Sequence, residues 1–191
     1  GTEVAVKVRR PGIEEQVETD LAILQRLAKL AADYIPDIAR HDPVRVAEEF
    51  SRSFRAEIDL GNEARHIDRF RANFHDDPRV AFPAVQAEYS GQTVLVTEFI
   101  AGEPALTPPE VLEGRGYDPH ALARVGANAF LKMIIEDGFF HADPHPSNVL
   151  FTGPYQVVFI DCGMVGRLRP ELRERLLDLL LALIAEDTEA A

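Results

Sequence analysis

The segment GFFHADPHPSNVLFTGPYQVVFIDCG, residues 138–163, sets His141, Asp143, His145, Asn148 and Asp161 around two short apolar runs. Carboxylates and a carboxamide at that density suit a hard cation or a proton in transit, and their order narrows the chemistry. Asp143 and Asn148 lie 5 residues apart, in a stretch that Pro144 and Pro146 keep out of helix and strand. Asp161 comes 13 residues after Asn148, behind the apolar run VVFI and just before Gly163, as at a strand end where the chain turns sharply. If the two apolar runs pair as a hairpin, the loop and the strand end meet. Asp143, Asn148 and Asp161 then converge.

Side chains so placed suit phosphoryl transfer. One aspartate orients or deprotonates the attacking hydroxyl, while an asparagine and a second aspartate hold Mg2+ against the phosphates of a nucleotide. Magnesium takes hard oxygen ligands and usually only one or two carboxylates. The spacing H-x-D-x4-N followed by D-x-G is that of a kinase catalytic loop and metal-binding turn. Zinc is the competing reading, because His141, Asp143 and His145 would share one face of a strand. The two prolines oppose such a strand, and zinc leaves Asn148 and Asp161 without a role. A third reading has these polar groups merely capping turns. His141 is expected to pack and hydrogen-bond within the loop rather than react.

A site of this kind also needs a cation for the α- and β-phosphates. VAVK places Lys7 in a strand, after the V-A-I-K pattern. A helix glutamate must hold that lysine, and FRAEIDLGNEARHIDRF offers Glu57, Asp59 and Glu63. Composition does not choose among them.

The elements that must position these groups follow from periodicity. Residues 3–8 alternate as a strand, and apolar positions 17, 21, 24, 27, 28 and 31 give a helix over 13–32. Pro36 and Pro43 bracket a linker. A long charged helix is expected over 44–74, with apolar positions 46, 50, 54, 58, 67, 70 and 74 facing the core and a slip near Gly61. RVAFPAVQAEY and QTVLVTEFI read as a hairpin about Ser90 and Gly91. A Gly/Pro-rich passage, AGEPALTPPE, precedes a helix over 119–137 that closes at Gly138. Strands near 148–152 and 155–160 and a helix over 170–186 complete an α+β pattern in two parts, divided near Ala101 and Gly102.

The 191 residues suffice for one domain or two small lobes sharing a cleft, and 46% hydrophobic with 27% charged residues is an ordinary globular balance. With 20 basic and 32 acidic residues the formal charge is −12, which repels phosphate backbones and argues against nucleic-acid binding. One cysteine, Cys162, excludes an internal disulfide and fits a reducing compartment. No apolar run reaches the roughly 20 residues a membrane span needs. LLDLLLALIA, residues 176–185, reads as a buried amphipathic helix. The chain opens inside strand-like sequence and closes straight after a helix, so both ends are expected to be cuts from a longer protein.

VAVKVRRPG, EIDLGNE, GFFHADPHPSN and FIDCGMVGRL together resemble the UbiB/ADCK family of atypical kinase-like proteins, associated with coenzyme Q biosynthesis and isoprenoid-lipid homeostasis. The resemblance covers nearly the whole chain, and HADPHP is highly specific. It implies a protein-kinase-like two-lobe fold truncated at both ends. Residues 1–100 would form a partial N-lobe with an extra helix, and residues 101–191 the C-lobe with the catalytic loop and metal-binding turn. It also implies roles. Lys7 matches the ATP-phosphate lysine and Glu63 its helix partner. Glu57 and Asp59 match the family's E-x-D element, Asp143 the catalytic aspartate, and Asn148 and Asp161 the metal ligands. In TEFIAGEP, backbone groups of Glu98 and Ile100 would meet adenine. ATP and Mg2+ are the implied cofactors. An isoprenoid lipid or quinone precursor and biosynthetic proteins are the implied partners, and the implied location is cytoplasmic with only peripheral membrane contact.

Three departures stand out. The family's K-x-G-Q motif and alanine-rich loop are expected before residue 1, Ser147 stands where glycine is usual, and Cys162 replaces a phenylalanine. The smaller side chain is expected to be a buried hydrophobe that packs less well on the neighbouring helix. The first functional expectation is an ATP- and Mg2+-dependent ATPase or phosphotransferase in quinone or isoprenoid-lipid metabolism. A nucleotide-binding pseudoenzyme is the second. A small-molecule kinase of the aminoglycoside-phosphotransferase kind is a third, with the E-x-D element and HADPHP against it.

Overall fold

A computed structural model describes residues 1–184 of the chain, which form helices and short strands in an α+β arrangement. Strand β1 (Val4–Val8) is followed by helix α1 (Ile13–Tyr34), which stops at Ile35 because a residue before proline disfavours helical backbone. The expected linker contains one helical turn, α2 (Pro36–Ala39), with Pro36 at the position where a missing N–H costs nothing.

The long charged helix expected over 44–74 is two helices, α3 (Pro43–Glu57) and α4 (Leu60–Asn73). The break lies at Asp59, whose extended backbone leaves the helix and whose carboxylate accepts the Gly61 N–H at 2.9 Å, capping α4. The apolar stripe is corrected with it. Ile67, Phe70 and Phe74 are buried, but Val46 and Phe50 of α3 are exposed, and α3 buries Ala47 and Ser51 instead. On α1, Val17, Leu21 and Ala28 are buried whereas Leu27 is exposed.

The expected hairpin over 79–99 is also corrected. Strand β2 (Val80–Ala81) pairs in parallel with a strand 77 residues on, Val80 opposite Val157. Pro83 then interrupts the stretch, having no N–H to donate. Only Val85 bridges to Thr97 of β3 (Val94–Glu98), whose regular partner is β1, with Lys7 opposite Leu95. The Gly/Pro-rich passage is ordered as strand β4 (Glu103–Pro104) and helix α5 (Pro109–Gly114).

Helix α6 (Pro119–Ile135) starts at Asp118, whose side chain accepts the Ala121 N–H, and ends two residues short of the expected bound. Gly138, at φ 58°, turns the chain into β5 (Phe139–His141). Strands β6 (Val149–Gly153) and β7 (Gln156–Phe159) form the hairpin expected there, Val149 opposite Phe159. They lie in a four-stranded sheet of order β2-β7-β6-β4, and β8 (Val165–Arg167) pairs antiparallel with β5. Helix α7 (Pro170–Ile184) closes the described chain, and residues 185–186 of the expected helix lie outside it. Its leucines divide as on an amphipathic helix: Leu176, Leu177 and Leu180 are half-buried and Leu172, Leu179 and Leu181 exposed, with Ala182 buried among the described side chains, and α7 packs chiefly on α6. Among the described residues no helix is long and apolar enough to cross a membrane.

The core is one cluster in which aromatic rings carry the contacts between elements. Phe70 of α4 stacks on Phe82 with centroids 5.1 Å apart and lies 4.6 Å from Phe139 of β5, while Phe82 stacks on Phe159 of β7 at 5.5 Å. This packing holds α4 against the strands that flank the polar segment.

Candidate active site

Lys7 projects from β1 between two carboxylates. Its Nζ lies 2.8 Å from Glu63 Oε2 and 3.0 Å from Asp161 Oδ2. Glu63 is buried in the first turn of α4, 3% exposed, whereas the Lys7 and Asp161 side chains are 47% and 41% exposed. Of the three acidic candidates from the helix region, Glu63 reaches the lysine. Asp59 is engaged in capping α4, and Glu57 ends α3 with its side chain outside the described part of the structure.

The three charges set one another's protonation. Burial pushes the Glu63 carboxyl above the usual range, and the pull of Lys7 does not fully offset it. Burial also opposes ionisation of Asp161, but the Gly163 N–H and the Lys7 ammonium outweigh it and hold this carboxyl below the usual range. Desolvation likewise works against the Lys7 charge, and the two carboxylates overcome it, raising the lysine above its ordinary value. Asp161 Oδ1 accepts the Gly163 N–H at 3.0 Å. A Cβ at position 163 would sit 3.3 Å from that oxygen, so a side chain there would crowd Asp161.

The β6–β7 hairpin brings the loop to the strand end. The Ile160 N–H donates to the Asn148 carbonyl at 2.9 Å, which sets Asn148 beside the residue preceding Asp161. Asn148 Nδ2 lies 3.5 Å from Asp143 Oδ2 and from the Asp143 carbonyl, a loose contact in an exposed loop. Asp143 itself is exposed. His141 is 1% exposed, accepts the Asp143 N–H on Nδ1 at 3.2 Å, and turns Nε2 to the Asp161 carbonyl. A carbonyl only accepts, so Nε2 carries the hydrogen. His141 therefore ties the loop to the turn. His145 Nδ1 is engaged by Ser147, and among the described residues no trio of His, Cys, Asp or Glu is arranged around a common point. The zinc grouping of His141, Asp143 and His145 is not assembled.

Asp161 and Asn148 can offer a carboxylate and a carboxamide oxygen. The donor set is of hard oxygens with a single negative charge, which fits Mg2+ better than a soft metal. At the end of β3, the Glu98 N–H donates to the Ala84 carbonyl at 2.8 Å, its carboxylate accepts the Ala84 N–H, and Ile100 is half-buried two residues on.

Cys162 is fully buried, and burial pushes its thiol far up, so it packs as a small hydrophobe. One residue at the site was not among those singled out in the sequence. His66 of α4 contacts the Cys162 carbonyl, 3.1 Å from Nδ1. Its interval of three from Glu63, which puts the two on one helix face, was the available signal.

Comparison with known proteins bears on this arrangement. The model of the ABC1 atypical kinase-like domain matches residues 1–191. An uncharacterised protein of Synechocystis is 36% identical over 187 residues, covering 98% of this chain and 33% of that protein. The probable protein kinase UbiB of Aeromonas salmonicida is 36% identical over 191 residues, covering 98% of this chain and 35% of its own length. The chloroplastic protein ACTIVITY OF BC1 COMPLEX KINASE 7 of Arabidopsis thaliana is 35% identical over 192 residues, 99% of this chain and 27% of that protein. The chain thus spans well under half the length of these relatives. Among solved structures, the erythromycin complex of Rv3197 from Mycobacterium tuberculosis matches with a TM-score of 0.70 and 25% identity, covering 99% of this chain and 46% of that one.

Proposed function

We propose, from the premise that the chain belongs to the ABC1 atypical kinase-like family, that it carries the ATP- and Mg2+-dependent site of a UbiB-type phosphotransferase or ATPase serving quinone or isoprenoid-lipid metabolism. The observation that carries this reading is Lys7 Nζ held between Glu63 and Asp161. A lysine poised between a helix glutamate and the aspartate of a D-x-G turn is the arrangement that kinase-type phosphoryl transfer requires.

In this reading residues 1–100 act as a partial N-lobe and residues 101–191 as the C-lobe. Glu63 keeps the ammonium of Lys7 pointed into the cleft, where it takes the α- and β-phosphates of ATP. The backbone of Glu98 and Ile100 receives adenine. Asp161, held ionised by Gly163 and Lys7, and Asn148 hold the metal, which neutralises phosphate charge when bound. Asp143, exposed in the loop that His141 fixes, orients the attacking hydroxyl or water and accepts its proton. The same reading puts the full-length protein in the cytoplasm with peripheral membrane contact.

Turnover of ATP by the full-length protein against Asp161→Asn tests it. The variant should lose Mg2+-dependent turnover by on the order of 100-fold. Undiminished turnover removes the metal assignment. Nucleotide-dependent thermal stabilisation with no hydrolysis in the wild type would instead point to a nucleotide-binding regulator.

A further inference from the structure

The peptide of Cys162 is gripped at both ends by α4. Its N–H points to Glu63 Oε1 at 3.4 Å, and its carbonyl takes His66 Nδ1 at 3.1 Å. Because the carbonyl can only accept, Nδ1 is the protonated nitrogen of His66. Burial depresses the basicity of this ring, the Arg167 and Arg65 guanidiniums act in the same direction, and the bond to the Cys162 carbonyl offsets this only in part. Phe139 of β5 meets the ring edge-on, centroids 5.9 Å apart at 61°, and limits its rotation. The preceding carbonyl, that of Asp161, faces His141 Nε2. Two histidines from different elements thus hold consecutive carbonyls of one turn.

We propose that His66 is a positioning residue, a latch that ties the metal-binding turn to α4 through the Cys162 carbonyl. The inference rests on the reading of Asp161 as a metal ligand and extends it. Lys7 can touch Glu63 and Asp161 together only if α4 and the turn keep their spacing. Glu63 sets that spacing from the N–H side of residue 162, and His66 sets it from the carbonyl side. The side chain at 162 contributes volume but no directional contact, so a cysteine suffices there. Among the described residues no backbone N–H pairs with the Cys162 carbonyl. Removing the imidazole donor leaves that acceptor unpaired in a half-buried setting, and the turn gains freedom to leave α4.

Three substitutions in the full-length protein separate the latch from simple packing. His66→Leu removes the donor. His66→Asn restores an amide N–H where Nδ1 stands. His66→Gln keeps an amide but sets it where Nε2 stands, and should behave like leucine. His66→Leu is expected to weaken the Mg2+ dependence of ATP turnover by about 10- to 100-fold, the range seen when outer-shell partners of metal ligands are lost. It should also speed amide hydrogen exchange in the peptide covering residues 160–165, with His66→Asn restoring both. Wild-type exchange and Mg2+ dependence in His66→Leu, or an His66→Asn variant as impaired as leucine, overturns the latch. Melting curves establish that each variant is folded, and His66→Gln stands in if leucine is not. The exchange measurement needs no turnover. A wild-type protein without ATP turnover would therefore sink the proposed activity while exchange still decides the latch.

Discussion

At the scale of single residues, Lys7 is the group whose loss the site can least absorb. Without its ammonium, Glu63 is a buried carboxylate with no cation beside it, and Asp161 loses one of the contacts that keep it ionised. Lys7→Met should lower ATP turnover by on the order of 100-fold, measured at saturating Mg2+. The pH dependence of stability has a definite sign. Lys7 titrates above its ordinary 10.5 in the folded protein, so its stabilisation is complete below 10.5 and fades as pH climbs through the raised folded value. Asp161 titrates below its ordinary 3.8, so its share is complete above 3.8 and fades only as pH falls through the lower folded value. Denaturation of wild type and Lys7→Met across pH should therefore show a gap in stability that holds through the neutral range and narrows above 10.5. A gap unchanged at the alkaline end would mean that the ammonium charge does not stabilise the fold.

At the scale of elements, the start of α4 has an outsized share in the geometry. Asp59 caps the helix whose first turn carries Glu63 and whose second carries His66. Asp59→Ala should cost about 1 kcal/mol in chemical denaturation, with Asp59→Ser recovering most of it. The resemblance assigns Asp59 to a functional E-x-D element, and the cap supplies a structural reason for an aspartate there. If alanine and serine lower activity alike while serine restores stability, the carboxylate has a second task beyond capping. Elsewhere, Gly102 approaches β6 so closely that an added Cβ would stand 2.8 Å from the Phe151 carbonyl oxygen. The neighbour is backbone and cannot swing aside, so Gly102→Ala should destabilise by about 1–3 kcal/mol. The break at Asp59 showed in the sequence only as a slip of the apolar stripe near Gly61, which does not by itself separate a kink from two helices. Only a residue leaving helical backbone to cap the next helix marks the boundary.

At the scale of the whole molecule, the core is continuous. Phe70, Phe82, Phe139 and Phe159 join α4, the segment after β2, β5 and β7, so residues on both sides of Gly102 share one buried cluster. Phe70 has no exposed surface, and Phe70→Ala should cost about 3–5 kcal/mol. With the cluster shared, thermal unfolding should be one transition that moves down as a unit in the variant. Two separated transitions, with only one of them shifted, would show the halves melting independently.

Local order in the chain was enough for much of this protein. The prolines around Asp143, the apolar runs bounding the loop and the position of Asp161 before a glycine specified a hairpin that carries its polar groups to one end, because pairing and turn preferences act over a few residues. The kinase-like family was legible for the same reason, its motifs being contiguous. Distant partners were not legible. Nothing near Lys7 states which of Glu57, Asp59 and Glu63 it meets, that β2 runs parallel to β7, or that the helix face carrying Glu63 also turns His66 to the Cys162 carbonyl. Those choices depend on how α4 lies across the phenylalanine cluster, and helix placement is set by the shape of the whole core rather than by any neighbour along the chain.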